Sequence, residues 1–291
     1  MRDSARLAHL RATLANAGLE PPEKHARVPL GCASLDLALK GGLARGAVHE
    51  IFAHPGDETA ATGFAVALAR RLNAGKHLLW IRQDFSALEH GELSATGLLE
   101  LGLNPARVLV LHVADAVSAL RAAGDALTCA ALGAVLIETT GEVKILNLVT
   151  SRRLTLGSAQ DGVTAFLLRF SAKPQASAAE TRWHVRSQRS LITNENWGHP
   201  VFETELVRNR HGTTGHWVVE WNCDDGLFRE LDGEETADRS AVVPASSDRP
   251  ATAAMGAKRR ATNAHGLWVF ACRLDRSAAG GGRLRALLDD V

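Results

Sequence analysis

The sequence predicts an α/β protein in which helices flank a mostly parallel sheet and an antiparallel meander follows. Between residues 28 and 170, short apolar runs alternate with apolar stripes at helical spacing, which indicates consecutive β–α–β units. Beyond residue 170 the runs become strand-like and are joined by turn signals such as Arg210-His211-Gly212. Such short links are typical of antiparallel neighbours. Hydrophobic residues make up 46% of the 291-residue chain, which is enough to bury the core of such a fold.

The predicted parallel strands are short apolar runs, and the helices between them carry alanine-rich or amphipathic stripes. The first of these helices is closed by Gly75, and a later one directs Leu120, Ala123 and Leu127 to one side. In chain order the predicted elements are strand Ala47–Ala53, helix Thr59–Asn73, strand His77–Ile81, helix Leu93–Leu101, strand Val108–His112, helix Ala114–Ala131, strand Ala134–Ile137, helix Glu142–Leu156 and strand Thr164–Phe170. The predicted meander strands are Thr181–Ser190, Phe202–Asn209 and Gly215–Asn222.

Residues 1–27 are predicted to form an amphipathic helix and a linker ahead of the core at 28–230. Leu7, Leu10 and Leu14 align at helical spacing, and a Pro-Pro break follows at Pro21–Pro22. This apolar stripe packs either on the core of its own chain or on a neighbouring protein. We predict it as a partner-binding element.

Residues 231–265 are predicted to be a disordered linker because they hold few large apolar side chains. The tail at 266–291 then begins with an apolar run that contains Leu267, Trp268 and Phe270. A glycine hinge and a short predicted helix, Arg283–Asp289, complete it. The apolar run is either a late-docking core strand or a partner-binding peptide.

The segment after the first predicted strand has the position of a phosphate-binding loop but lacks its lysine. Such a loop reads G-x-x-x-x-G-K-[ST], where the lysine neutralises the phosphates and the hydroxyl holds Mg²⁺. Here Thr59 and Ala60 stand at those two positions, and the preceding residues are Gly56, Asp57 and Glu58. Two carboxylates beside a triphosphate repel it and compete for its metal. The sequence therefore predicts a degenerate nucleotide site.

Several segments together resemble the RecA family and, in more detail, the ImuA family of RecA-like accessory proteins in bacterial damage-induced mutagenesis. They are the lead-in V-P-L-G-C-A-S-L-D-L-A-L-K-G-G-L-A-R-G (Val28–Gly46), then G-L-L-E-L-G-L-N-P-A-R-V-L-V, R-W-H-V-R-S and E-L-V-R-N-R-H-G-T-T-G-H-W-V-V-E-W. The resemblance implies a RecA-like core over residues 28–230. The order and spacing of the segments support this resemblance, since each segment alone is not specific.

The resemblance also assigns three further residues to the degenerate nucleotide site. Asp84 stands where the family carries a catalytic glutamate, or is a polar strand-end residue. Glu138 stands at the Mg²⁺-holding strand end, or is a carboxylate facing a crevice that once bound ligand. Arg169 stands where the family senses the γ-phosphate; it binds an anion or forms a salt bridge with Glu138 or Asp84. We predict no bound cofactor and no metal.

Arginines alternate with tryptophans along the predicted meander. This pattern indicates either a track that grips phosphates and stacks bases or a sheet with a buried tryptophan face and a solvated arginine face. The candidate DNA contacts are Arg182, Arg186, Arg189, Arg208 and Arg210. The loop before them, Ser171–Glu180, has one lysine and no aromatic residue, which argues against strong single-strand binding there.

Composition excludes several other functions. The formal net charge of +1 gives no overall attraction to nucleic acid or anionic lipid. The four cysteines form no C-x-x-C pair, and the N-terminus has no apolar signal region, which together favour a reducing cytoplasm. No membrane partner is predicted.

These observations predict a non-catalytic accessory protein in SOS-induced, error-prone translesion DNA synthesis. The resemblance implies three partners: an ImuB-like inactive relative of Y-family polymerases, an error-prone C-family DNA polymerase subunit, and RecA. Contact with DNA is either direct, through the arginines named above, or indirect, through these partners. Two alternatives stay open, an ATP-dependent recombinase-like ATPase and a SulA-like cell-division inhibitor.

Overall fold

A computed structural model describes residues 25–190, 198–231 and, as backbone, 283–286. The predicted N-terminal helix with Leu7, Leu10 and Leu14 lies outside the described residues. So do the predicted linker from residue 232 onward and the apolar run with Leu267, Trp268 and Phe270.

The α/β class, the large mostly parallel sheet, the flanking helices and the antiparallel strands at the C-terminal side are confirmed. The strands are β1 (Arg27–Val28), β2 (Leu43–Ala44), β3 (Val48–Ala53), β4 (His77–Gln83), β5 (Val108–Val113), β6 (Leu132–Thr140), β7 (Thr164–Phe170), β8 (Thr181–Gln188), β9 (Val201–Asn209), β10 (Gly215–Asn222), β11 (Leu227–Glu230) and β12 (Arg283–Ala286). The helices are α1 (Ala33–Ala38), α2 (Glu58–Leu72), α3 (Asp84–His90), α4 (Ala95–Glu100), α5 (Ala116–Ala126) and α6 (Leu148–Asp161).

Ten strands form one sheet in the order β11-β10-β9-β8-β3-β7-β6-β4-β5-β12, and β1 pairs with β2 separately. The six strands from β8 to β5 are parallel neighbours, whereas β9, β10 and β11 continue the sheet as an antiparallel meander. Parallel neighbours end at the same edge of the sheet. The carboxyl ends of β3, β7, β6 and β4 therefore lie side by side.

Each face of the sheet has its own apolar core. On one face α2 buries Phe64, which packs edge-on against Trp183 and lies close to Phe202 and Phe228. On the other face α5 and α6 cover β4, β6 and β7 with aliphatic side chains such as Leu154. Helices on both faces follow from the strand pattern, because strands buried on both sides read as nearly continuous apolar runs.

Helix boundaries shift where polar side chains cap the first turn. Helix α6 was predicted to begin at Glu142 but begins at Leu148, because the Asn147 side chain accepts hydrogen bonds from the N–H groups of Val149 and Thr150. It ends at Gly162, whose φ of 71° suits a left-handed C-cap. Helices α1 and α3 are too short to show a periodic stripe and were not predicted.

The predicted C-terminal helix Arg283–Asp289 is wrong over residues 283–286, which form β12 instead. This strand pairs antiparallel with β5, with Arg283 opposite His112 and Ala286 opposite Leu109. A sequence of helix-forming residues becomes a strand here because the edge of β5 offers a row of backbone partners, and tertiary context overrides weak propensity.

A buried hydrogen-bonded chain connects the first parallel strand to the meander. His49 lies on β3, and its Nδ1 is 2.8 Å from the hydroxyl of Thr181, which also accepts from Trp183 Nε1 at 2.8 Å. Its Nε2 is 2.8 Å from the carbonyl oxygen of Ala44. Since a carbonyl only accepts, Nε2 carries the proton and Nδ1 accepts from Thr181. Burial lowers the pKa of His49 from 6.5 to about 4.

This histidine predicts a loss of stability on mild acidification. The unfolded chain binds the proton near pH 6.5 and the folded chain only near 4, so the contribution is complete above 6.5 and is lost as the pH falls to about 4. The loss amounts to about 3 kcal/mol of unfolding free energy. Urea unfolding at pH 7.5 and 4.5 measures it, and the His49→Gln variant should show a correspondingly smaller difference. The control is His199→Gln, at a half-buried histidine just before β9, and it should keep the wild-type difference; equal pH dependence in His49→Gln would contradict the assignment.

Candidate functional site

The predicted nucleotide-site residues lie at the carboxyl edge of four neighbouring strands, where open α/β sheets bind ligands. Gly56 and Asp57 follow β3, Arg169 is near the end of β7, Glu138 is near the end of β6, and Asp84 follows β4. The topology thus brings them to one edge. Their side chains do not converge on one point.

The loop between β3 and α2 contains only His54 to Asp57. The six residues before Thr59, which stands at the lysine position, are Ala53–Glu58, with Ala53 and Glu58 at the two glycine positions of G-x-x-x-x-G. The N–H of Gly56 donates to the Glu58 carboxylate at 2.9 Å, and the Asp57 carboxylate accepts from the N–H and hydroxyl of Ser187 at 2.9 and 2.7 Å. The Glu58 carboxylate therefore accepts a hydrogen bond from an N–H group that a phosphate-binding loop would direct at its ligand. Thr59 is exposed on the first turn of α2.

Glu138 is buried in a closed set of hydrogen bonds. Arg82 on the neighbouring strand β4 holds both of its oxygens, from Nε at 2.9 Å and from Nη2 at 3.3 Å. Trp80 Nε1 adds a third bond at 3.1 Å, and the remaining Arg82 nitrogen donates to the carbonyl of Gly91 at 3.0 Å. The carboxylate is 1% exposed. Its charge is balanced within the core.

Arg169 points to the opposite face of the sheet from Glu138. In the β6–β7 register Arg169 pairs with Thr139 and Glu138 pairs with Leu168, and side chains alternate along a strand. The predicted salt bridge between Arg169 and Glu138 is therefore wrong. Arg169 instead lies with its guanidinium carbon 5.3 Å from the centre of the Phe52 ring.

The Arg169 guanidinium is buried and incompletely bonded. Its Nε and Nη2 atoms have no hydrogen-bond partner, and burial lowers its pKa. The Arg182 guanidinium carbon approaches the same Phe52 ring at 5.5 Å, and the Glu50 carboxylate accepts from Arg182 at 2.7 Å. Glu50 thus balances one of the two cations above this ring. Asp84, the other predicted partner of Arg169, is exposed at the start of α3.

The loop Ser171–Glu180 is bound to the sheet by two groups of residues. At its start Glu142 accepts from the Lys173 N–H at 2.9 Å and from the Gln175 amide at 2.8 Å, and the first of these bonds lowers the pKa of Glu142. At its end Arg208 donates to the carbonyl of Ser177 at 2.6 Å, and Arg210 donates to that of Ala178 at 3.3 Å. Three candidate DNA-contact arginines, Arg182, Arg208 and Arg210, therefore have partners inside the protein.

The tryptophans of the meander are buried on the α2 face. Trp183, Trp217 and Trp221 belong to the same core cluster as Phe64. Arg186 lies on β8, where its Nη2 atom is 3.2 Å from His54 Nε2, and Arg189 lies just beyond the end of β8. The arrangement matches the alternative with a buried tryptophan face. Direct DNA contact through the arginines stays a prediction.

Sequence analysis missed the residues that fill this edge of the sheet. Arg82, Glu50 and Ser187 were not singled out, although each forms one of the internal bonds above. A signal was present for Arg82 and Glu50, since a charged residue inside an apolar strand requires a buried partner of opposite sign.

Neither a metal centre nor a membrane span is found among the described residues. In ranges 25–190 and 198–231, no three His, Cys, Asp or Glu side chains are grouped so that they could hold a metal ion. The longest described helix, α2, is too short to cross a bilayer, and no other helix in the described part is long and apolar enough.

Known proteins show a distant similarity to this chain. No family model matches it. Two curated proteins from strains of Caulobacter vibrioides, both named Protein ImuA, are each 29% identical to it over 197 residues, which covers 62% of this chain and 77% of the relative. The chain is thus similar to Protein ImuA over most of that relative's length. This similarity agrees with the resemblance that the sequence segments indicate.

Proposed function

We propose that this chain belongs to the ImuA family and acts as a non-catalytic, RecA-like accessory protein in damage-induced, error-prone translesion DNA synthesis. One observation carries the non-catalytic part. The Glu58 carboxylate accepts the hydrogen bond of the Gly56 N–H at the start of α2, where a nucleotide-binding loop would present that group to a phosphate. The similarity to Protein ImuA supports the biological process.

The other positions of the predicted nucleotide site also have partners or charges within the protein. An Mg²⁺ ion held through water needs a carboxylate that water can reach, whereas Glu138 is buried and bonded to Arg82 and Trp80. Asp57 and Glu58 place negative charge at the helix end that a triphosphate would approach. A RecA-like core without nucleotide chemistry keeps its protein-binding surfaces and loses the cycle that drives them.

The proposed partners follow from the family resemblance. They are an ImuB-like inactive relative of Y-family polymerases, an error-prone C-family polymerase subunit and RecA, with the protein located in the cytoplasm. Contacts between proteins, rather than hydrolysis, would then couple the damage signal to synthesis past the lesion.

We expect a Thr59→Ala variant to support damage-induced mutagenesis as well as the wild-type protein. Because Ala60 stands at the Mg²⁺-holding position, an enzyme with an unusual loop would have to use the neighbouring Thr59 hydroxyl for Mg²⁺. Here Thr59 is exposed, and its loss leaves the described bonds intact. The mutation frequency after ultraviolet irradiation should fall in a strain lacking the gene and return to within about twofold with either version, since surface substitutions usually change little.

Two results would contradict this proposal. Failure of Thr59→Ala, at wild-type protein level, would indicate nucleotide chemistry. Unchanged mutation frequency in the strain lacking the gene would remove the protein from this process. Calorimetry with ATP and Mg²⁺ is the matched biochemical measurement, and we expect no heat of binding up to about 1 mM, a concentration that corresponds to only about 4 kcal/mol of affinity.

A further inference from the structure

Helix α3 exposes two large apolar side chains at the carboxyl edge of the sheet. Phe85 and Leu88 are three residues apart, so they lie on one side of the helix, and they are 53% and 84% exposed. Between them Ser86 is buried, and its hydroxyl lies 3.4 Å from that of Thr140 at the end of β6. Helix α3 is thus fixed on the sheet through Ser86 while Phe85 and Leu88, here called the α3 apolar surface, face outward.

The N-terminal end of strand β12 lies at the same edge of the sheet as this surface. Arg283, the first residue of β12, pairs with His112 near the carboxyl end of β5, and His112 pairs with Arg82 on β4. Strand β4 continues directly into α3 after Gln83. Two strand spacings, about 10 Å, therefore separate the backbone of Arg283 from that of Arg82. The chain that precedes β12 arrives at the same edge of the sheet as α3.

The sequence just ahead of β12 is suited to such a surface. The run G-L-W-V-F-A-C-R-L-D places Leu267, Trp268 and Phe270 close together. The eight residues between Leu274 and Arg283 can span up to about 26 Å when extended, which exceeds the distance required. Charge is complementary as well: Arg273 and Arg276, with Asp275 between them, give the end of the run a net positive charge. The exposed residues Asp84, Glu89 and Glu92 lie within four positions of Phe85 or Leu88 in the chain.

We propose that the segment Leu267–Leu274 docks on the α3 apolar surface of its own chain. Burial of Phe85 and Leu88 beneath Trp268 and Phe270 would remove apolar area from water at a position next to the strand that already returns to the sheet. This proposal does not depend on the proposed function. If both hold, a partner protein that binds the tail must first displace it from α3.

Disulfide cross-linking in the full chain tests the docking. A Leu88→Cys substitution places a thiol on α3, and Cys272 supplies the second thiol within the tail. After mild oxidation we expect an intramolecular disulfide between positions 88 and 272, detected by mass spectrometry of the monomer. Its yield should be at least about fivefold above a Leu37→Cys control, because docking adds to the effective concentration that tethering gives both.

Leu37 is a matched control because it is equally exposed, at 81%, and lies elsewhere. Its helix α1 adjoins the β9–β10 turn and β11, at the other end of the ten-stranded sheet. Equal cross-linking of the two variants would overturn the proposal. So would a disulfide that joins two molecules, since the occupant would then be a second copy.

Trypsin cleavage after Arg273 provides a measurement that needs no added thiol. Docking protects this bond, so Leu88→Asp should accelerate its cleavage severalfold, whereas Leu37→Asp should not. Because Leu88 is exposed, its replacement leaves the fold intact. Equal cleavage rates in the wild-type protein and Leu88→Asp would overturn the proposal.

Discussion

Replacing Glu138 by alanine should destabilise the protein by about 3–5 kcal/mol, because it leaves a buried guanidinium without its counter-charge. Arg82 is 3% exposed, donates twice to this carboxylate and retains only the carbonyl of Gly91 after the change. Trp80 also loses its acceptor. Urea unfolding at pH 7, followed by far-ultraviolet circular dichroism, measures the difference in unfolding free energy.

The matched control is Glu100→Ala on α4. Glu100 is exposed, so the same substitution there removes a carboxylate that water already surrounds, and the change should stay within about 0.5 kcal/mol. A loss below about 1 kcal/mol for Glu138→Ala would show that Glu138 is hydrated and available to a metal ion. That result would favour the alternative in which the protein is an ATPase.

Replacing Trp183 by alanine should destabilise the protein by about 3–5 kcal/mol, through a cavity under α2 and the loss of a buried hydrogen bond. The ring is fully buried, packs edge-on against Phe64 at 5.5 Å between centres, and donates to the Thr181 hydroxyl. That hydroxyl also binds His49, so the change disturbs three residues of the core. Urea or thermal unfolding measures the effect.

Trp183→Phe is the appropriate comparison, because it keeps a ring against Phe64 and should therefore lose less stability than alanine. A stable Trp183→Ala variant with reduced single-stranded DNA binding would contradict the buried position and indicate a base-stacking platform. We expect instead that Trp183→Ala loses stability, because the ring that it removes is buried rather than exposed.

The fold class was predictable because hydrophobic periodicity is a local property. The five parallel strands and the meander follow from apolar runs and turn residues that neighbour each other in the chain, and most of their bounds agree within a few residues. The strand β12 was not predictable, since only the open edge of β5 makes a strand of residues 283–286. Helix α6 began late because one asparagine side chain caps it.

The candidate site was predictable in its chemistry but not in its geometry. The missing lysine at Thr59 and the extra carboxylates Asp57 and Glu58 can be read directly from the sequence. The bond from Gly56 to Glu58 depends on how the short loop folds, and no local pattern specifies it. The sequence therefore predicted which residues lie at this edge of the sheet but not the hydrogen bonds that they form.

The sequence by itself determined the order of elements, the presence of threonine rather than lysine at position 59 and the alternation of arginine with tryptophan. Only the tertiary structure decided that Glu138 binds Arg82 and that Arg169 faces the other side of the sheet. The physical reason is the range of the interactions. Periodicity and residue chemistry act along neighbouring positions, whereas Arg82 and Glu138 are 56 residues apart and meet only because β4 and β6 pair in one register.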